Sequence, residues 1–334
     1  MAPLLLLNDI PLTKPLSTPE EGRQHIQQEQ LAHVCNLEER LTGMDCAVLS
    51  EEDLAQLSVR RLAPLDADEA TVDFGPLYFR PRCSRDEVDQ TADNKTCESV
   101  PWRTGCDVRD YPEPAYPDGM PLLCSAEPEA FHNLEWCLAR GGLKFRRPGV
   151  RGVLGKSDWD VSRRRFNLPC CTEPLRVGFG SASAYTYFPA HPFVLKGEAR
   201  SRPHIACGVT DSEDPMGDSV LRSELHVAIC LLQHQLRHGQ YRNHDTFPVL
   251  IFSFRHNIQA RITQIHYDGQ HLGIRQSRLL SFKGSEPTPD ACLMIRWMTA
   301  MPIGDTEYKS PRGVEVVTEA NEVTGWAGGV SREA

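Results

Sequence analysis

No stretch of the 334-residue chain reaches the roughly 18 continuous apolar residues that a membrane-spanning helix requires, so no membrane span is expected. Four leucines run from Leu4 to Leu7, but no basic residue precedes them, and Asn8 and Asp9 follow at once. That is not the build of an export signal, and the expected location is cytoplasmic or nuclear. No two cysteines stand in Cys-x-x-Cys spacing and no His-Glu-x-x-His occurs, which removes the common zinc motifs. Gly178-Phe-Gly180-Ser-Ala-Ser lacks the third glycine of a dinucleotide loop and the Gly-Lys-Ser/Thr of a phosphate loop. It is not a Gly-x-Ser-x-Gly elbow either, and spacing nominates no Ser/His/Asp triad. No cofactor is expected.

Cysteine itself is not scarce. The twelve cysteines are scattered through the chain and, for an intracellular protein, read as reduced small hydrophobes rather than a disulfide scaffold. Proline (25) and glycine (24) are slightly above average usage, so much of the chain is expected in loops. Net charge is −9 but unevenly placed: residues 1–143 hold 12 Lys/Arg against 26 Asp/Glu, and residues 144–334 hold 24 against 19. The acidic first half disfavours nonspecific nucleic-acid binding by the whole chain.

These shifts divide the chain into a flexible lead-in (1–19), an acidic helical and loop-rich region (20–143), a basic linker (144–174), an α/β core module (175–320) and a flexible tail (321–334). In the second region, Thr18-Pro-Glu-Glu21 has the form of a capping box ahead of a helix with a thin stripe of Ile26, Leu31, Val34 and Leu41. The stripe suits docking on the main body, or an exposed helix that meets a partner. Ser50 with Asp53 marks a second helix start, residues 72–79 suggest a strand, and Glu127 to Arg140 suggests a helix ending at Gly141-Gly142. The rest of 60–125 is turn chemistry.

The core module carries the clearest pattern. Asp218 is placed to cap a helix whose Leu221, Leu225, Ile229, Leu232 and Leu236 recur at helical spacing. Phe247 to Phe254 is a nearly continuous apolar run, the mark of a strand covered on both faces. Asp268-Gly269 between two alternating segments is a hairpin signal. Pro289 to Met301 reads as another helix, and Val314 to Val317 as a last strand.

Three constellations could carry chemistry. Cys230, His234 and His238 fall at i, i+4 and i+8 on the expected helix, a metal-gripping spacing that is also the polar flank of a core helix. Cys170-Cys171 is a vicinal thiol pair after a proline and a run of arginines, with an ordinary loop as the plainer reading. Arg163, Arg164 and Arg165 beside Phe166 form a basic and aromatic mixture that suits either nucleic acid or the acidic half of the same chain.

The element order from Asp218 to Val317 resembles the core of the PD-(D/E)XK nuclease superfamily. That resemblance implies a magnesium site, with Glu224 on the helix and Asp268 at the end of the second strand as the candidate catalytic residues. The third strand, Leu272-Gly-Ile-Arg-Gln-Ser277, offers Arg275 and Gln276 where that family keeps a metal-binding carboxylate, which implies a degenerate and inactive relative. Separately, the run from Pro248 through Tyr267, Phe282 and Gly304-Asp-Thr306 resembles an uncharacterised family of filamentous-fungal proteins over about residues 205–306. This resemblance implies an accessory protein, a class that includes passengers of biosynthetic gene clusters.

The expected fold is α+β, a helix–three antiparallel strands–helix module with a helical, loop-rich N-terminal half. The expected function is a non-enzymatic accessory or protein-interaction role with a protein partner. The alternatives are a metal-dependent, nuclease-like phosphodiesterase using Glu224 and Asp268, and nucleic-acid binding through Arg163, Arg164 and Arg165.

Overall fold

The computed structural model describes residues 19–69, 73, 75–82, 157–161, 175–179, 183–190, 192–211, 213, 217–237, 239–255, 259–282 and 288–308. The first elements are helix α1 (Pro19–Thr42), strand β1 (Val48–Leu49), helix α2 (Glu51–Gln56) and strands β2 (Val59–Arg61) and β3 (Phe79–Arg80). Strands β4 (Trp159–Val161), β5 (Leu175–Phe179), β6 (Ser183–Pro189), β7 (Phe193–Leu195) and β8 (Ile205–Asp211) follow. The chain then forms β9 (Val220–Leu221), helix α3 (Arg222–Arg237), β10 (Phe247–Arg255), β11 (Gln259–Tyr267), β12 (Leu272–Gln276) and β13 (Leu280–Ser281). Helix α4 (Pro289–Met298) and β14 (Met301–Pro302) end the described chain.

The class is α+β, and the expected helix, three antiparallel strands and second helix are all present. They belong to a ten-stranded mixed sheet in the order β2-β12-β11-β10-β8-β6-β5, with β13 beside β11, β7 beside β8 and β4 beyond β7. Strand β8 runs parallel to β10 and reaches it through α3, so that helix lies across the sheet it connects.

Every residue of β10 is buried, as its unbroken apolar run requires. Period-two alternation splits the strand: Phe247, Val249 and Ile251 join the core beneath α1 and α3, while Leu250, Phe252 and Phe254 join the opposite core with α4. In that second core Met294 and Trp297 of α4 pack with Trp159 of β4. Each such large side chain contributes about 1.5–3 kcal/mol on burial. Thr288 caps α4 through its side chain, and Pro289 occupies the first turn, where no backbone donor is needed.

Several boundaries differ from the sequence reading. Asp218 does not start the core helix; β9 intervenes, and α3 begins at Arg222 with the Leu221 amide donating to the Glu224 carboxylate at 3.1 Å. Trp159, inside the expected basic linker, is a buried strand residue whose indole donates to the Ala300 carbonyl. The described N-terminal elements α1, β1 and β2 pack on the core module. Strand β2 pairs with β12, β1 pairs with β9, and Val34, Leu37 and Leu41 pack on α3.

The apolar stripe of α1 is also turned. Ile26 is 41% exposed, and Gln27 and Gln30 take the buried positions in register with Val34, Leu37 and Leu41. Among the described residues of the strand expected over 72–79, only Phe79 lies in one; ahead of it the side chain of Asp73 accepts from the Gly75 amide. Residues 127–140, 163–165, 170–171, 314–317 and 321–334, together with His238, lie outside the described residues.

Candidate functional site

One group of buried polar side chains gathers at the first half of α3, which carries Ser223, Glu224, His226 and Cys230. Glu224 is fully buried and its carboxylate is saturated. One oxygen accepts from Ser253 (2.6 Å), Arg261 Nε (3.2 Å) and Thr263 (3.2 Å). The other accepts from Leu221 N (3.1 Å), Arg261 Nη2 (2.7 Å) and Gln276 (3.0 Å). Apart from the Leu221 amide of β9, these donors come from three adjacent strands, β10, β11 and β12, at positions that face α3 by alternation. Burial alone raises a carboxyl pKa; here the charges of Arg261 and Arg255 outweigh it, and Glu224 is held below its ordinary range.

Beside it, at the end of β8, Asp211 is also fully buried. It accepts from the Tyr185 hydroxyl at 2.5 Å, from the Ser223 hydroxyl and from the Glu213 amide at 2.8 Å. Burial dominates in this case and, with the nearby charge of Glu224, pushes Asp211 up to about 7 against the three donors. Two neighbouring carboxyls thus sit in opposite electrostatic settings, one facing a guanidinium and one facing only neutral donors.

A third group lies nearer the surface, between α1 and α3. The hydroxyl of Tyr187 on β6 is hydrogen-bonded to His226 Nδ1. The other ring nitrogen of His226 is 3.6 Å from Glu38 Oε1, and Glu38 Oε2 accepts from Gln233 Nε2 at 2.6 Å. His226 leads the causes that hold Glu38 below the ordinary glutamate range, with Gln233 assisting and burial opposing. Cys230, one helical turn beyond His226, brings its sulfur into this group, and one ligand atom from each of Glu38, His226 and Cys230 lies within 4.8 Å of the others.

The residues nominated from sequence are dispersed. Asp268 caps the β11–β12 turn by accepting from the amides of Gln270 (2.9 Å) and His271 (2.8 Å). It stands five residues along β11 from Thr263, which touches Glu224, so about 17 Å of strand separates the two carboxylates. Cys230 meets His226, four residues before it, and Glu38 of α1; His234 is outside that group. Arg163, Arg164 and Arg165 lie outside the described residues, as does His238.

Sequence reasoning missed Asp211, Arg261, Glu38 and His226. Arg261 carried a usable signal, a charge in the middle of an otherwise buried strand pattern, which demands a partner. Glu38 carried none, because its partners are about 190 residues away in the chain.

No protein-family model matches the sequence, and no curated protein and no solved structure is detectably similar to it. No helix among the described residues is long and apolar enough to cross a membrane.

Proposed function

We propose that the protein is a non-enzymatic accessory protein that works by binding a protein partner, on a nuclease-like core whose metal carboxylate has been converted into a structural ion pair. The observation that carries this reading is the saturation of Glu224. A catalytic magnesium needs open carboxylate oxygens. Both oxygens of Glu224 are occupied by six donors, and a cation entering there has to displace Arg261 and leave a buried guanidinium unpaired.

The third strand supports the same reading. Gln276 donates to Glu224, and Arg275 is spent on the carbonyls of Ala63, Pro64 and Pro76 and on Asp73. Asp268 is spent on its own turn. The finer reading, an accessory protein of filamentous fungi serving a biosynthetic gene cluster, rests on the sequence resemblance over about residues 205–306.

The test has two arms. Native co-purification of the tagged full chain, followed by mass spectrometry, is expected to retain a stoichiometric protein partner. In parallel, single- and double-stranded DNA and RNA incubated with magnesium or manganese are expected to stay intact. Cleavage that disappears in Glu224→Gln overturns the proposal in favour of a phosphodiesterase. Recovery of nucleic acid with no protein partner, lost when Arg163, Arg164 and Arg165 are all replaced by alanine, overturns it in favour of nucleic-acid binding.

A further inference from the structure

We infer that Glu38, His226 and Cys230 form a zinc-binding site that staples α1 to α3. The three ligand types are those zinc accepts, and they come from two helices that already touch. Zinc holds sulfur at about 2.3 Å and nitrogen or oxygen at about 2.0–2.2 Å, so its ligand atoms stand roughly 3–4 Å apart. Atoms already gathered within 4.8 Å close on an ion by small side-chain rotations.

Two features beyond the ligands favour an ion over a bare ion pair. The Tyr187 hydroxyl engages His226 Nδ1 and leaves the other ring nitrogen directed at Glu38, which fixes the ring as partners of metal-bound histidines do. Gln233 does the same for the carboxylate by occupying Oε2 and leaving Oε1 toward the histidine. The site is also reachable: the side chains of His226 and Glu38 are 16% and 29% exposed, while Cys230 is 3% exposed beneath them. An ion enters past Glu38, and water completes the fourth position. A thiolate with an imidazole selects zinc over magnesium or calcium, which prefer all-oxygen shells. Binding releases the thiol proton, so affinity falls as the pH is lowered.

The experiment uses metal-stripped full-length protein and cobalt(II) as the spectroscopic stand-in for zinc. One equivalent of cobalt is expected to give intense visible bands of tetrahedral geometry and a thiolate-to-cobalt charge-transfer band, both displaced by zinc. Cys230→Ser should abolish the charge-transfer band, while Cys292→Ser, on the opposite side of the sheet, should keep it. Glu38→Gln changes one atom of a partly exposed side chain and should fold normally. It should weaken zinc binding by roughly tenfold or more and lose the zinc-induced rise in Tm that the wild type shows. A weak octahedral cobalt spectrum overturns the inference. So does a charge-transfer band that survives in Cys230→Ser, or a zinc-induced Tm rise that is unchanged in Glu38→Gln.

Discussion

Arg261 and Glu224 meet at 2.7 Å with side chains 1% and 0% exposed, and their ion pair ties the start of β11 to the first turn of α3. Arg261 also donates to the Ser219 carbonyl at 2.8 Å, so the same guanidinium fixes the chain just before β9. The pair therefore anchors the start of α3 to the sheet. Removing one partner strands the other charge where no water reaches it. Glu224→Ala and Arg261→Ala are each expected to lower unfolding free energy by about 3–5 kcal/mol, measured by urea denaturation. The double replacement Glu224→Ala with Arg261→Ala should cost clearly less than the two single losses added together. Additive losses would contradict a coupled pair.

Asp211 makes stability depend on pH with a sign opposite to that of the buried histidines. Its folded pKa of about 7 lies above its ordinary value of 3.8, so the folded state binds the extra proton between these values. The stabilisation is complete below about pH 3.8 and is lost as pH rises through 7. His204 behaves in reverse. Burial lowers it from 6.5 to about 4, so its contribution is present above 6.5 and is lost as pH falls toward 4. Asp211→Asn should remove the first effect alone. Its unfolding free energy relative to wild type is expected to rise steadily from pH 4 to pH 7, and a constant difference would contradict the assignment.

Gly273 in β12 is required by its neighbour across the sheet. A Cβ placed there stands 2.4 Å from Cε1 of His266 and 2.9 Å from Cδ1 of Leu62, closer than real contacts allow. Gly273→Ala is expected to destabilise the fold by about 1–3 kcal/mol in denaturant unfolding. Adding His266→Ala, which empties the nearer obstruction, should recover part of that loss in a double-mutant cycle.

Arg275 holds the segment that follows β2. Its guanidinium donates to three carbonyls, those of Ala63, Pro64 and Pro76, and pairs with Asp73 at 2.5 Å. Methionine matches the volume but supplies no donor. Arg275→Met should therefore speed cleavage by a nonspecific protease within residues 63–76 and lower Tm. Cleavage at the wild-type rate would show that this segment is held by its other contacts.

The features read correctly from sequence are those decided by near neighbours. The run Phe247 to Phe254 has to be covered on both faces, whatever covers it. Asp268-Gly269 closes a hairpin because the glycine accepts a positive φ of 92° and the aspartate side chain takes the two following amides. Ser50 and Asp53 form their capping box from groups three residues apart.

What tertiary structure alone decided is which distant pieces meet. Ile26 faces outward while Gln27 and Gln30 face inward, a choice set by where α3 and the β11–β12 turn lie and not by the hydrophobicity of α1. Strand β2 finds β12 more than 200 residues later, and three residues of low apolar content gave no sign of it. Glu38, Tyr187, His226 and Cys230 become one site only because α1, β6 and α3 converge. Local chemistry dictates the elements through groups a few residues apart. Burial and charge pairing between elements are paid for by long-range contacts, whose partners are fixed only once the whole sheet has formed.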